Sequence, residues 1–269
     1  MHLKRVITVF LMIVVLCSLA SCNISHNRKD SKPETAYPVE IGWNIKPTLD
    51  GPIVPSQIPY YMASAIYQKD AYASETTGET IAKVIINYKQ TIKATTYKEG
   101  NCAYIYNDSH STLVDAYLEA YFNDRVQYRE SSKADFKDVS YEEYQNEYGI
   151  IPTTIQIDGY VINTHSVLSV EKQSRNTFII NLDGEVAGGN NKINMKKLGN
   201  LLDYPVYDRL VMIATIDDDF FPITIRVQAT YHVRIAVLGR VKCEQDYTIS
   251  YRELSDEERL VLSSPPKKE

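Results

Sequence analysis

The chain has 269 residues, 44% of them hydrophobic and 23% charged, with a formal net charge of -5 at pH 7. That balance suits an ordinary globular domain, and its mildly acidic sign argues against nucleic acid as a partner. Tyrosine is the outlier, with 21 residues against one tryptophan and six phenylalanines. Aromatic rings suit pleated surfaces, so the bias points to β-structure with amphipathic side chains on its faces.

Lys4 and Arg5 precede an apolar run over residues 6–16, too short to span a bilayer comfortably as a permanent helix. Leu19, Ala20, Ser21 and Cys22 follow. This tetrapeptide resembles the recognition site of bacterial lipoproteins, in which the cysteine thiol receives a diacylglyceryl group and the chain is cut just before it. The resemblance implies a signal peptide over residues 1–21 and a lipidated Cys22 at the mature N-terminus, the alternatives being an ordinary secretory signal or an uncleaved anchor. Two or three acyl chains, at about 0.8 kcal/mol per buried methylene, tether a soluble body stably. The implied location is the bacterial cell envelope, on the extracytoplasmic side of a membrane, and Asn23 in place of aspartate favours the outer membrane where there are two.

Residues 22–58 are polar and carry Pro33, Pro38, Pro47, Pro52 and Pro55, a spacing that no helix or central strand tolerates. They read as a linker. The folded domain is placed at residues 59–254, opening on a short helix with Pro59 in its first turn.

Beyond that helix the pattern is β. Val84, Ile86, Tyr88 and Ile92 alternate with polar neighbours, and Cys102, Tyr104 and Tyr106 share a phase after a turn at Gly100. Val114, Ala116, Leu118, Ala120 and Phe122 return through Asn123 and Asp124 to Val126 and Tyr128. Ser140 and Glu143 form a capping box for a helix carrying Tyr141, Tyr144 and Tyr148. Asp158 and Gly159 are a strong two-residue hairpin signal, and residues 167–172 and 177–182 form another strand pair. Gly188, Gly189, Asn190 and Asn191 read as a turn. Asn194 then caps a helix whose apolar stripe is Met195, Leu198, Leu201 and Leu202.

The clearest alternation runs from Phe221 through Ile223, Ile225, Val227, Ala229, Tyr231 and Val233 to Ile235, with polar residues at the positions between from Thr224 to Arg234. At about 3.4 Å per residue this strand approaches 50 Å, which requires a twisted and curved sheet. Residues 210–216 precede it, and Val241, Cys243, Tyr247, Ile249 and Tyr251 follow the Gly239 turn, so the domain ends in a three-stranded meander. Ser255 and Glu258 cap a last short helix in a polar tail, residues 255–269. The fold class is therefore α+β: a long, strongly curved antiparallel β-sheet, an incomplete barrel, with short helices on its concave side.

Taken together, the lipobox, proline-rich spacer, long antiparallel strands and helices between hairpins resemble the lipoproteins with a LolA- or LppX-like incomplete barrel. The likeness is one of architecture and covers about residues 59–254. It implies an apolar cavity that accepts an acyl chain or a lipidated client, with Met195, Leu198, Leu201, Leu202, Ile223, Ile225 and Val227 as its lining.

Other chemistry has little support. Cys102 and Cys243 are either a disulfide or two buried thiols. His110, His165 and His232 lack metal-ligand spacing, and the triple aspartate at 217–219 lacks the spaced oxygen donors of a calcium loop. Ser109 beside His110 on a loop does not make a nucleophile and base. The reading is a non-enzymatic, membrane-tethered lipoprotein without cofactor or metal, binding a lipid or acylated molecule. The alternatives are an envelope-assembly or adhesion module holding glycan or protein on tyrosine-rich surfaces, and a purely structural lipoprotein.

Overall fold

Two runs of hairpins, joined along one long strand pair, build the body of the molecule. The computed structural model describes residues 48–51, 54–83, 88–111, 116–148, 156–198, 201–236 and 239–264, so the signal segment and Cys22 lie outside the described residues. Strands β1 (Ala71–Lys83), β2 (Tyr88–Glu99), β3 (Cys102–Ser111), β4 (Ala116–Phe122), β5 (Val126–Arg129) and β6 (Lys137–Val139) are consecutive antiparallel neighbours. The small hairpin β7 (Gln156–Ile157) and β8 (Tyr160–Val161) forms a ladder of its own. A second series follows: β9 (Val167–Lys172), β10 (Thr177–Leu182), β11 (Val206–Ile216), β12 (Pro222–Ile235) and β13 (Gly239–Arg252). β13 pairs with both β12 and β1, which gives an 11-stranded antiparallel sheet ordered β6-β5-β4-β3-β2-β1-β13-β12-β11-β10-β9. β6 and β9 are its unpaired edges, so the curved sheet stays open.

Among the described residues five α-helices accompany it: α1 (Ile58–Gln68), α2 (Tyr141–Tyr148), α3 (Gly184–Ala187), α4 (Gly189–Leu198) and α5 (Asp256–Ser263). One sheet face carries most of them. Ile58 and Met62 of α1, Ile157 and Tyr160 of the small hairpin, and Ala187 of α3 pack with Met212, Ile225 and Val227 in one core. Farther along the same face, Tyr144 of α2 packs on Ala120, Val126 and Tyr128. α5 instead lies on the opposite face, where Arg252 of β13 grips Glu258 and Arg259 pairs with Glu99.

The period of the long strand explains the core. Ile225, Val227, Ala229, Tyr231 and Val233 are buried while Arg226 and Arg234 are exposed, the signature of a sheet with one dry face. Ile223 departs from that phase. Thr215 pairs with Thr224 but Ile216 pairs with Pro222, so Ile223 is the extra residue of a bulge and turns outward, 45% exposed. It lines nothing inside the sheet.

β1 is absent from the sequence reading, which starts a strand at Val84; residues 84–87 lie between β1 and β2, outside the described residues. The reason is physical. The inward positions of β1 are Ser74, Thr76, Gly78, Thr80 and Ala82, set across from Tyr251, Ile249, Tyr247, Gln245 and Cys243 of β13. Small residues there make room for large ones opposite, so the strand shows no apolar alternation of its own.

Three further expectations are corrected, and the alternative left open for the two cysteines is decided. Gly188 and Gly189 are not a turn: Asp183 caps α3 through the backbone N–H groups of Glu185 and Val186, and α4 starts at Gly189. Asn194 is therefore mid-helix, and Leu201 and Leu202 lie beyond the helix end, which breaks the single stripe. The domain also begins earlier than Pro59, because Leu49 is buried in the core and Asp50 receives two hydrogen bonds from Arg175 at 2.9 and 2.7 Å. Finally, Cys102 and Cys243 are both free. Cys243 stands opposite Ala82, and Cys102 opposes Glu99, which opposes Ala71 at the other end of β1. Eleven residues of strand separate the two levels, about 35 Å, against the Cα spacing of about 7 Å at most that a disulfide spans.

Candidate ligand-binding recess

The residues assigned to a cavity lining by sequence do not converge. Ile225 and Val227 have no exposure and belong to the packed core. Met195 sits at its margin, its sulfur 3.7 Å from the Tyr207 hydroxyl, and Leu201 is half-buried against the same cluster. Leu202 is 46% exposed. Leu198 ends α4 and its side chain is outside what the structure describes.

A different group occupies the inner face. Tyr231 on β12 and Tyr247 on β13 point inward in the phase of the buried strand positions, and Tyr207 on β11 and Tyr160 on β8 join them. Tyr160 and Tyr207 meet edge to face at 6.2 Å, and Tyr207 and Tyr231 lie 5.4 Å apart. A buried phenol requires a partner for its hydroxyl. Tyr247 donates to the carboxylate of Asp158, and the hydroxyls of Tyr160 and Tyr207 come within hydrogen-bonding reach of one another. Burial keeps all four phenols protonated, raising their pKa above the ordinary value.

Asp158 is the residue that sequence reasoning missed as chemistry, although it found the turn. With Gly159 it makes the β7–β8 hairpin, both residues in the left-handed region at φ 50° and 75°. Asn191 of α4 donates to the Asp158 carbonyl at 2.7 Å, and Asn190 donates to Gln156 at 2.9 Å, so α4 pins the hairpin over the sheet. Asp158 as a whole residue is exposed at the hairpin tip. Yet surrounding protein desolvates its carboxyl and raises its pKa to about 6, against the lowering effect of the Tyr247 hydrogen bond. The hairpin thus carries the carboxyl into a candidate recess inside the curve of the sheet, while part of the residue faces solvent.

The floor beside it is accessible as well. Tyr88, Ile92 and Ala94 of β2, Ile105 and Asn107 of β3, and Leu118 of β4 all point to the helix-bearing face and are only half-buried. α2 touches α4 above that face. At the far end of β1 and β13, Tyr72, Tyr251 and Phe221 form an aromatic trio with centroid separations of 5.5–5.8 Å. The recess thus combines an apolar floor, aromatic walls and one carboxylate, which suits an amphipathic molecule.

The other sheet face carries a second aromatic group. Tyr97 stacks on Tyr104 at 5.6 Å, Tyr104 packs tilted against Tyr121 at 4.7 Å, and Tyr121 meets Phe136 at 5.8 Å. Glu119 sits among them, taking hydrogen bonds from Arg129 at 2.8 and 2.6 Å and from the Tyr117 hydroxyl at 2.8 Å. Its charge is matched internally. Ser109 and His110 are in β3 rather than a loop and point to opposite faces; Ser109 donates to Asn107 and His110 pairs with Asp108.

No family model and no curated protein matches the sequence. Among solved structures, the chain is similar to a DUF1329 family protein from Desulfovibrio piger, with 12% identity and a TM-score of 0.31 over 78% of this chain and 100% of that one. It is also similar to a LolA superfamily protein from Nitrosomonas europaea, with 10% identity and a TM-score of 0.27 over 76% of this chain and 96% of the other.

Proposed function

We propose that this protein is an extracytoplasmic lipoprotein, tethered to a bacterial membrane through a diacylated Cys22, that holds an amphipathic ligand such as a lipid or acylated molecule and catalyses no reaction on it. The reading rests on one observation above all. Asp158 is solvent-accessible and yet crowded by protein, next to a half-buried apolar floor on the helix-bearing face of the sheet. A surface that only filled its own core would leave this floor covered.

The test uses the chain from residue 23 onward, which contains every described element. A fatty-acid probe whose fluorescence rises in apolar surroundings should bind saturably. Ala94→Trp, placed in the middle of the floor, should fill the recess and abolish binding while the melting temperature holds. Overpacking of an already filled interior would instead cost about 1–3 kcal/mol. Destabilisation together with no probe binding to the unaltered chain rejects the reading.

A second reading has its own observation: the half-buried rings of Tyr97, Tyr104, Tyr121 and Phe136 on the opposite face suit glycan or protein contact. Binding that survives Ala94→Trp and fails with Tyr104→Ala favours it.

A further inference from the structure

The end of the sheet where β12 passes into β13 gathers cations and exposed apolar side chains. Arg234 stands across from Arg240, and His232 across from Lys242, which in turn faces Lys83 of β1, all on the face that carries Arg226. Arg234, Arg240 and Lys242 are exposed. Arg234 has Asp203 at 3.5 Å, His232 has Asp208 at 2.9 Å and Lys83 has Glu244, but no carboxylate pairs with Arg240 or Lys242 among the described residues. Val206 pairs with His232 and is 43% exposed, and Leu202, whose N–H donates to the Arg234 carbonyl, is 46% exposed. Between Arg234 and Arg240 the sequence is apolar apart from Gly239, where a hairpin connection ordinarily carries polar turn residues. The opposite end of β12 is acidic: Asp217, Asp218 and Asp219 lead into it from β11, and Arg175 bridges Asp218 to Asp50.

We infer that this end is a membrane-docking surface, which seats Arg234, Arg240 and Lys242 among the anionic head groups of a bilayer and brings Leu202 and Val206 to the boundary with the acyl chains. Charge selects the occupant. The whole chain carries -5, so attraction to an anionic surface has to be local, and the aspartates at the far end of β12 leave this end as the one that turns toward it. Apolar side chains bordered by lysine and arginine suit the interface, where the former enter the head-group region and the latter meet the phosphates. Reach allows it too. The first described residues are tied to the acidic end through Asp50 and Arg175, and the 14 residues of β12 put the basic end about 45 Å away. Residues 22–47 span at most about 80 Å at about 3.1 Å each, so a body tethered through Cys22 can lay its basic end on the same bilayer. The inference takes only this reach from the proposal above and does not depend on the recess.

Flotation of the chain from residue 23 onward, which lacks the anchor, reads the contact directly. The vesicles are phosphatidylcholine alone, or phosphatidylcholine and phosphatidylglycerol mixed two to one. Partitioning to the mixed vesicles should be at least tenfold stronger and should weaken as salt is raised. Arg240→Glu combined with Lys242→Glu should lower it at least tenfold with the melting temperature unchanged. Lys93→Glu combined with Lys133→Glu makes the same change of net charge at exposed lysines elsewhere and should lower it less than threefold. Leu202→Ser combined with Val206→Ser should remove the binding that remains at high salt. Equal partitioning to both kinds of vesicle, or an equal loss from the two charge reversals, overturns the inference. So does a failure to bind the mixed vesicles, including one in which this end pairs with a second copy of the chain instead. The fatty-acid probe reads the recess and palmitate labelling reads Cys22, so neither of those readings falls with this one.

Discussion

Gly78 of β1 stands directly across from Tyr247 of β13, and a Cβ added to Gly78 would lie 2.3 Å from the Tyr247 Cβ. Tyr247 backbone and the Asp246 carbonyl oxygen are equally close, at 2.4 Å, so no side-chain rotation relieves the contact. The glycine is what lets β1 and β13 approach where Tyr247 reaches for Asp158. Gly78→Ala should force the strands apart and cost about 1–3 kcal/mol or more by overpacking. Chemical denaturation checks the loss, and unchanged stability would mean that the approach of β1 and β13 is looser than described.

Asp158 gives a pH dependence with a definite sign. Its pKa is raised from 3.8 to about 6 by desolvation, so between those values the folded chain binds more protons than the unfolded one. Stability from this group is therefore greatest below about pH 4, falls as pH rises through 6, and is flat above. Asp158→Asn removes the charge and with it this slope. The variant minus unaltered difference in melting temperature should grow in favour of the variant from pH 4 to pH 6.5; a constant difference would place the carboxylate in water.

Ile225 and Arg226 are neighbours on β12 with opposite fates. Ile225 has no exposure, whereas Arg226 lies on the wet face and donates to Asp246 at 2.8 and 2.6 Å. Ile225→Asp should cost about 3 kcal/mol or more, because it buries an unpaired charge. Arg226→Asp loses an exposed ion pair and faces Asp246 with like charge, for about 1 kcal/mol. Equal melting temperatures for the two variants would contradict the alternation.

These variants mark what the sequence does and does not make legible. β12 is plain in sequence because its inward positions from Ile225 to Val233 are all apolar, so burial imposes period two along that stretch. β1 is not, because its partner supplies the bulk and it supplies the space. α4 hides behind Gly188 and Gly189, residues that score as turn formers, while the capping side chain, Asp183, belongs to the preceding α3. The site is harder still. Asp158 is fully accounted for locally as a hairpin residue, and its partner Tyr247 lies 89 positions away. The available signal was the run of tyrosines, 231, 247 and 251, in the buried phase of their strands. Each carries a hydroxyl that burial obliges to find a partner. Following those hydroxyls, rather than the leucines after Asn194, leads to the recess.

The anchor is tested away from the fold. Cys22→Ser removes the thiol that would receive the diacylglyceryl group, so the chain should remain uncut and take up no labelled palmitate when expressed in a bacterium. The cell fractionation readout is independent of ligand binding. A variant still cut before residue 22 and still extracted into detergent would show that the tetrapeptide ending at Cys22 is not a lipidation site.

The C-terminal helix supplies a stability switch of the opposite sign to Asp158. Glu258 receives hydrogen bonds from Arg252 at 2.7 and 2.6 Å and from the Ser255 backbone at 2.8 Å, while Ser255 Oγ accepts from the Glu258 N–H at 3.3 Å. These bonds, Arg252 foremost, hold the Glu258 pKa down from 4.5 to about 2. A depressed carboxylate stabilises above its unfolded pKa and loses that contribution as pH falls from about 4.5 to 2. Arg252 is 44% exposed, so solvent screens the pair and Glu258→Gln should cost only about 1–3 kcal/mol at pH 7. The cost should shrink toward nothing as pH falls to about 2 and below, where Glu258 becomes protonated. Ser255→Ala should cost about 1 kcal/mol at every pH through loss of the cap itself. A Glu258→Gln penalty that does not decline on acidification would detach the helix's hold on β13 from this ion pair.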